Sequence, residues 1–533
     1  MSLVTISAGA ADSLPEQIDR LVAAKAGSQP LAPAAADAEF LRRATLDFAG
    51  DLPTPAEVRT FLADAAADKR IKLIDKLIDS PRFPERLADV LHVMLMERRG
   101  EDAKWRAYLV DSCKANKPWD VMAREILCTD YLDANQRGAS YFATRRLDKE
   151  GQQLTDYPGL TRDVGRMFLG VDLQCCQCHN HLTVKGYKQA DFNGLFVAFQ
   201  NAKLEKAAGD HATSWLSEGA LTAKYDFVSV LTSVKGQTGP RVPFGEEVPI
   251  PDLKGDDMWL VKPDRKKNEP GKPKFSPLQE VTQRMATKDN PWFVRNIANR
   301  MWWLVMGRGL VEPLDLNHAA NPPSHPELLD LLGNELVAHN FDLKWLIHEL
   351  ALTQTYQRSS ELPSGATRPP DDLFAIGRER PLSAEQLARA FLRATGEWER
   401  VSDNKKADAQ DDTKRYALSD FEAAFRTAFA SAPKEPELTV NPTLKSALFL
   451  RNSEQVLWAI RPRGENLVGR LTALTDNAQA AEELYLAILA RLPAADEKAD
   501  IAAWLEKHAA DRPRAIGDCA WALLSSAEFF SNH

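Results

Sequence analysis

The sequence predicts a mainly α, multi-domain helical protein with a small β-containing insert. Three observations predict it. Apolar residues recur at helical spacing over most of the chain, one Gly- and Pro-punctuated β-prone stretch interrupts them, and 533 residues exceed what a single domain ordinarily holds. The divisions read as an N-terminal stub or linker over 1–30, a helical domain over 31–202, a β-containing insert with an exposed linker over 203–282, and a C-terminal helical domain over 283–533. With 67 Lys+Arg against 75 Asp+Glu the formal charge is −8, which gives no reason to expect nucleic acid as a partner. No run of about 18 apolar residues occurs, so no membrane-spanning helix is expected.

Met1 to Ala11 reads as the stub of a trimmed start, with Ala8-Gly9-Ala10 resembling a signal-peptidase site. Phe40, Leu41, Ala44, Leu46 and Phe48 then form a helical stripe leading into Gly50. Thr54 is placed to cap the next helix, with Pro55 at its first position. Val58, Phe61 and Leu62, then Ile71 to Ile78, continue the pattern, and Phe83 to Arg99 is a further apolar-rich helix. Tyr225 to Leu231 is β-prone among closely spaced glycines and prolines. Lys262 to Lys274, with six Lys/Arg around three prolines, reads as a solvated loop. Helical periodicity returns at Pro277, broken by the polar Asp403 to Arg415, which reads as a loop. Leu46–Phe83 and Leu486–Phe529 share an apolar helix, a Leu-Pro turn, a capped helix and a helix ending at Ser-x-x-Phe, and read as duplicated building blocks.

Six cysteines are too few for a disulfide scaffold. Three of them cluster in Cys175-Cys176-Gln177-Cys178-His179, which contains C-x-x-C-H, the attachment pattern of a c-type haem. Cys175 and Cys178, three residues apart on one turn, can each form a thioether to a vinyl group, and His179 then lies under the ring as proximal iron ligand. Alternatives stand beside this reading. Cys175, Cys178, His179 or His181 could hold zinc, although no second paired motif follows. The pair could also be a redox dithiol or part of a structural disulfide. With Cys175 and Cys178 consumed, Cys113 and Cys128 are the expected disulfide in an oxidising compartment.

At these residues the chain resembles a known family. Gly170 to His181 and Gln189 to Phe196 are similar to a segment of the planctomycete-type cytochrome-associated proteins, and Leu46 to Glu57 to the opening of their first domain. Asn290 to Trp302, Gly307 to Val311 and Asn321 to Asp330 resemble the signatures of their second domain. The likeness continues through Leu343–Ile347, Arg380–Glu385 and Ala522–Phe529. The resemblance implies paired domains without a settled activity, export to the periplasm or beyond, and a redox association, often through fusion to a separate cytochrome c domain not expected among these residues. It implies no substrate. The family often carries Trp-Ala-Arg-His-Trp where this chain has Leu87-Ala-Asp-Val-Leu91, so Val90 replaces its histidine.

His318 and His325 are the candidate distal ligands, reaching the haem only if the domains pack across it; His325 also reads as part of a helix start with Ser324 as cap. Met94, Met96, Met301, Trp302 and Trp303 read as core. Glu97-Arg98-Arg99 and Asp315 to His318 read by default as surface salt bridges. The expected function is an extracytoplasmic c-type haem protein in electron transfer or haem-dependent oxidation, working with a redox partner protein or a small-molecule substrate. The alternative is a secreted enzyme or binding protein acting on carbohydrate or another polymer, its Cys/His cluster structural or zinc-binding.

Overall fold

The computed structural model describes residues 12–148, 155–206, 213–362 apart from 265 and 268, 365–402, 416–434 and 443–533. The readings of Met1–Ala11 and Asp403–Arg415 lie outside these residues. Helices dominate, and the strands pair only two by two, each pair antiparallel. Among the described residues no helix is long and apolar enough to cross a membrane.

The stretch expected as an N-terminal stub contains a helix, Leu14–Ala26. Leu14, Ile18, Val22 and Ala26 fall four residues apart, so one narrow stripe faces inward and packs into the first core. Helices Asp37–Phe48, Pro55–Ala63, Lys69–Ile78 and Arg82–Met96 follow in succession. Thr54 caps the second of these as the sequence predicts: its hydroxyl accepts from the Glu57 amide, and the Glu57 carboxylate accepts from the Thr54 amide at 3.0 Å. Trp105 and Trp119 are fully buried among them, with Trp119 stacked on Phe168.

The insert forms three hairpins: Ala202–Glu205 with Trp215–Glu218, Tyr225–Val228 with Lys235–Thr238, and Trp259–Val261 with Lys272–Pro273. The last pairing gives the Lys262–Lys274 stretch, expected as loop, a strand at its far end. The insert rests on the helix Gln189–Gln200, where Gly194 permits close approach: a Cβ there would lie 2.5 Å from that of Arg241.

Two apolar cores result. The first takes residues from Leu14 through Phe374, together with Leu486 and Ala490, and includes the helices Pro291–Met306, Pro326–Ala338 and Leu343–Leu352 from the stretch 283–533. The second is built mainly from residue 382 onward, around the helices Ala384–Thr395, Leu418–Phe429 and Asn477–Ile488, and also takes in Leu46 and Leu52. Polar ties cross between the cores. Asp51 is buried, accepts from Arg82 at 2.6 and 2.7 Å, and is also reached by Arg393 at 3.0 Å. Arg42 donates to the carbonyls of Glu528, Phe529 and Ser531 at 3.0–3.1 Å.

The expected Cys113–Cys128 disulfide is not formed: all six cysteines are free. Burial pushes both thiols up to about 12, with Asp89 adding to the effect at Cys113 and Glu218 at Cys128.

Candidate functional sites

The Cys/His segment is a surface loop held from behind. After the helix Tyr157–Val164 the chain makes a π-helical turn, Gly165–Leu169, and leaves the helix at Gly170, whose φ of 67° ends it. The apolar run Val164 to Leu173 is thus helical only as far as Leu169. Cys175–Gln177 form a single 3₁₀ turn, with the Cys178 and His179 amides both donating to the Cys175 carbonyl at 3.4 Å. Gln177 is fixed from one side by Arg162 at 2.5 Å, and its carbonyl accepts from Gln189 at 3.4 Å. Gln189 also donates to the Val228 carbonyl, and the Val230 amide donates to that of Cys178 at 3.0 Å. The turn is therefore braced by a helix and by the insert.

Within this turn the three thiols divide. Cys175 and Cys178 are exposed, whereas Cys176 points into the first core, where burial pushes its thiol up to about 12. His179 Nδ1 lies 2.7 Å from the Asn180 carbonyl oxygen. A carbonyl only accepts, so Nδ1 carries the proton and the Nε2 lone pair is left available to a metal. His181 is the reverse: its Nδ1 accepts from the Val184 amide at 3.0 Å, so in the neutral ring Nε2 holds the proton. Leu182, Val230 and Leu231 stand exposed beside the turn at 75%, 69% and 58%. Among the described residues no group of three His, Cys, Asp or Glu side chains could hold a metal ion.

Of the two candidate distal histidines, the structure brings one to this loop. Tyr187 contacts His181 edge-on at 6.0 Å and His318 at 6.1 Å, and its hydroxyl donates to the Asn317 carbonyl at 2.6 Å. Burial and the neighbouring His181 together lower the His318 pKa. His325 lies elsewhere, buried against Phe374 at 5.5 Å with Nδ1 at 3.0 Å from Ser324 Oγ. Burial brings it down to about 4. It occupies the helix-cap position itself, and Ser324 does not cap the helix.

A second site was missed by the sequence reading. Between the two cores lies a cavity of about 220 Å3, lined by the helix Arg82–Met96, the helix Pro291–Met306, the start of Ala384–Thr395 and the loop around Asp315. Arg86, Asp89, Val90, Val93, Met94 and Glu97 supply one wall, falling on one helical face at spacings of three and four. Val90, the position where the resemblance would put a histidine, is in that wall. Met94 and Trp303, expected as core, also line it.

The cavity corrects the reading of Glu97-Arg98-Arg99 and Asp315 as surface salt bridges. Glu97 is buried and receives Arg99 at 2.5 Å and Arg166 at 2.9 and 3.0 Å. Arg98 holds Glu385 through two bonds of 2.5 and 3.0 Å. Asp315 receives Arg300 at 2.5 Å and Arg166 at 3.0 Å. Glu97 and Arg98 both take left-handed backbone, φ 44° and 56°, a strained state for side chains of their size that these ion pairs hold in place. Burial alone would raise the Glu385 carboxyl, but the Arg98 bonds and charge outweigh it and hold it at about 2. A strand pair, Arg380–Pro381 with Ser531–Asn532, closes the far side and brings Arg380 and Asn532 onto Asp47 at 2.6 and 2.8 Å.

These features define a two-core helical protein with an exposed Cys/His loop and a charged cavity between its cores. Residues 17–204 match the family described as PSCyt2, protein of unknown function (DUF1549), and residues 279–505 match PSD1, protein of unknown function (DUF1553). The chain therefore carries these two domains of unknown function as a pair. The Cys/His loop falls in the first, and the cavity draws residues from both. No curated protein and no solved structure matches the chain.

Proposed function

We propose that the protein is an extracytoplasmic c-type haem protein, serving electron transfer or a haem-dependent oxidation, with a redox partner protein or small molecule as its counterpart. The observation that carries this reading is the division of roles within one turn. Cys175 and Cys178 face solvent, Cys176 is turned away, and the His179 tautomer leaves Nε2 free to bind iron. That Nδ1–H to carbonyl bond is the partner a metal-bound imidazole needs, because it fixes the ring and raises its basicity. The exposed Leu182, Val230 and Leu231 beside the turn supply apolar surface of the kind a tetrapyrrole covers. Bound there, haem would supply one-electron chemistry; the chain's part is to anchor it through two thioethers and to hold His179 in register.

The test is covalency in protein matured in a host with haem-attachment machinery. Haem should survive acid–organic extraction and a denaturing gel. Cys175→Ala or Cys178→Ala should each impair attachment, and Cys176→Ala should leave it. Haem stain lost on denaturation would sink the proposal.

The sixth iron position separates catalyst from carrier. We favour an open distal side, so carbon monoxide should bind the reduced protein promptly. His318 is the better placed alternative, since it shares Tyr187 with His181. A low-spin reduced spectrum indifferent to carbon monoxide, made responsive by His318→Ala, would select the carrier.

A further inference from the structure

Among the described residues, one charge lining the cavity between the cores has no carboxylate in contact with it. Each lining carboxylate has an arginine: Asp47 has Arg380, Asp89 has Arg389 and Arg106, Glu97 has Arg166, Asp315 has Arg300 and Glu385 has Arg98. Arg86 is the exception. It is 91% buried, yet among the described residues no carboxylate oxygen lies within 4 Å of its guanidinium, and its one hydrogen bond runs from Nε to the Asp47 carbonyl at 3.3 Å. Among the described residues its two terminal nitrogens make no bond, yet neither is sealed by protein as Arg42 Nη1 is, and the side chain lines the cavity. Burial lowers the Arg86 pKa; Asp89 and Asp47 oppose this, and Arg389 and Arg380 add to it. A buried guanidinium with two free N–H edges and arginines for neighbours is built to receive an oxyanion.

The rest of the wall says what that oxyanion is attached to. Val90, Val93, Met94, Trp303, Leu304 and Leu314 are apolar, so a bare inorganic ion would leave most of the cavity unfilled. Since an apolar cavity of about 150 Å3 takes benzene, 220 Å3 accommodates a body of roughly nine non-hydrogen atoms. We propose that this cavity is a binding site for a small organic anion, a carboxylate on an aromatic or branched aliphatic body, whose oxyanion is gripped by Arg86 and whose body lies against Val90, Met94 and Trp303. The site stands on observations separate from the Cys/His loop and does not depend on haem.

Benzoate, its neutral counterpart benzamide and inorganic sulfate are the probes, read by calorimetry and by thermal shift on the full chain. Benzoate should bind at least about tenfold more tightly than benzamide, because a charge-assisted pair is lost in the amide. Arg86→Met should reduce benzoate to the level of benzamide. Val90→Phe, which fills the cavity and leaves Arg86 in place, should remove binding of both and decides the matter if Arg86→Met fails to fold. Equal affinity for benzoate and benzamide, no benzoate binding up to about 10 mM, or undiminished binding by either folded variant would overturn the proposal. Sulfate competing as strongly as benzoate would overturn the organic part of it.

Discussion

At the scale of the residue, the Arg98–Glu385 pair shows how a charge comes to be buried and what it costs to disturb. Both side chains are over nine-tenths buried and meet through two bonds. Glu385→Gln keeps the shape but removes the carboxylate charge that Arg98 holds through two bonds, and should destabilise the fold by about 3 kcal/mol, read as a lower denaturant midpoint. The same pair sets a pH dependence. Because the folded Glu385 carboxyl is held at about 2, below its unfolded value, its stabilisation is present above the ordinary carboxylate range and is lost as pH falls toward 2. Wild type should therefore lose more stability between neutral pH and pH 3 than Glu385→Gln does; parallel acid curves would refute the assignment. None of this was legible in sequence. Glu97-Arg98-Arg99 looks like any solvated charge run, and only the second core packed over it makes it interior. The Cys175–His179 cluster stands out in sequence because its spacing is local, and the structure displays it on a turn of a few residues with Cys175 and Cys178 exposed.

At the scale of the element, the Thr54 cap was readable because a cap depends on four consecutive residues, whereas Ser324 falls one residue too early and does not cap. The two related blocks make a natural experiment. Thr54 and Glu57 form a reciprocal capping pair, whereas at the matching position Ala494 offers only its amide, which donates to Glu497 at 2.7 Å. Ala494→Ser, at an exposed site with extended backbone, should complete the second cap and raise stability by about 1 kcal/mol; Thr54→Ala should lower it by about the same. Thermal melts of both variants check the pair, and no gain from the serine would mean the return bond alone suffices. The π-helical turn at Gly165–Leu169 was not foreseen. Its extra residue puts Arg166 on Glu97 and Asp315 and sets Met167 in the cavity wall, an outcome of tertiary packing that periodicity does not encode.

At the scale of the whole molecule, the mainly α class and the β insert were readable from patterning, but the partition into cores was not. Leu46 and Leu52 serve the second core from within the first domain's sequence, and the helix Pro291–Met306 serves the first core from within the second. Such exchange ties the two halves together, and Asp51 is its polar counterpart, reached by Arg82 on one side and Arg393 on the other. Asp51→Ala takes from Arg82 its carboxylate partner and leaves Arg393 with the exposed Glu399, and should cost about 3 kcal/mol. It should also let tryptophan fluorescence and far-UV dichroism report separate unfolding midpoints, where wild type gives one. Coincident, unshifted transitions in the variant would show that apolar packing alone couples the cores.

The stretch from Leu314 to His318 belongs to both sites at once. Leu314 and Asp315 wall the cavity, Leu316 bridges to Val171, Asn317 accepts from Tyr187 and donates to the Gly170 carbonyl, and His318 meets the Tyr187 ring. Thermodynamic linkage makes any communication through it symmetric: the factor by which an occupant of the cavity changes affinity or potential at the Cys/His loop equals the factor by which a change of state at that loop alters the occupant's affinity. Five residues of backbone thus join the two places, and any coupling carried through them reads the same from either end.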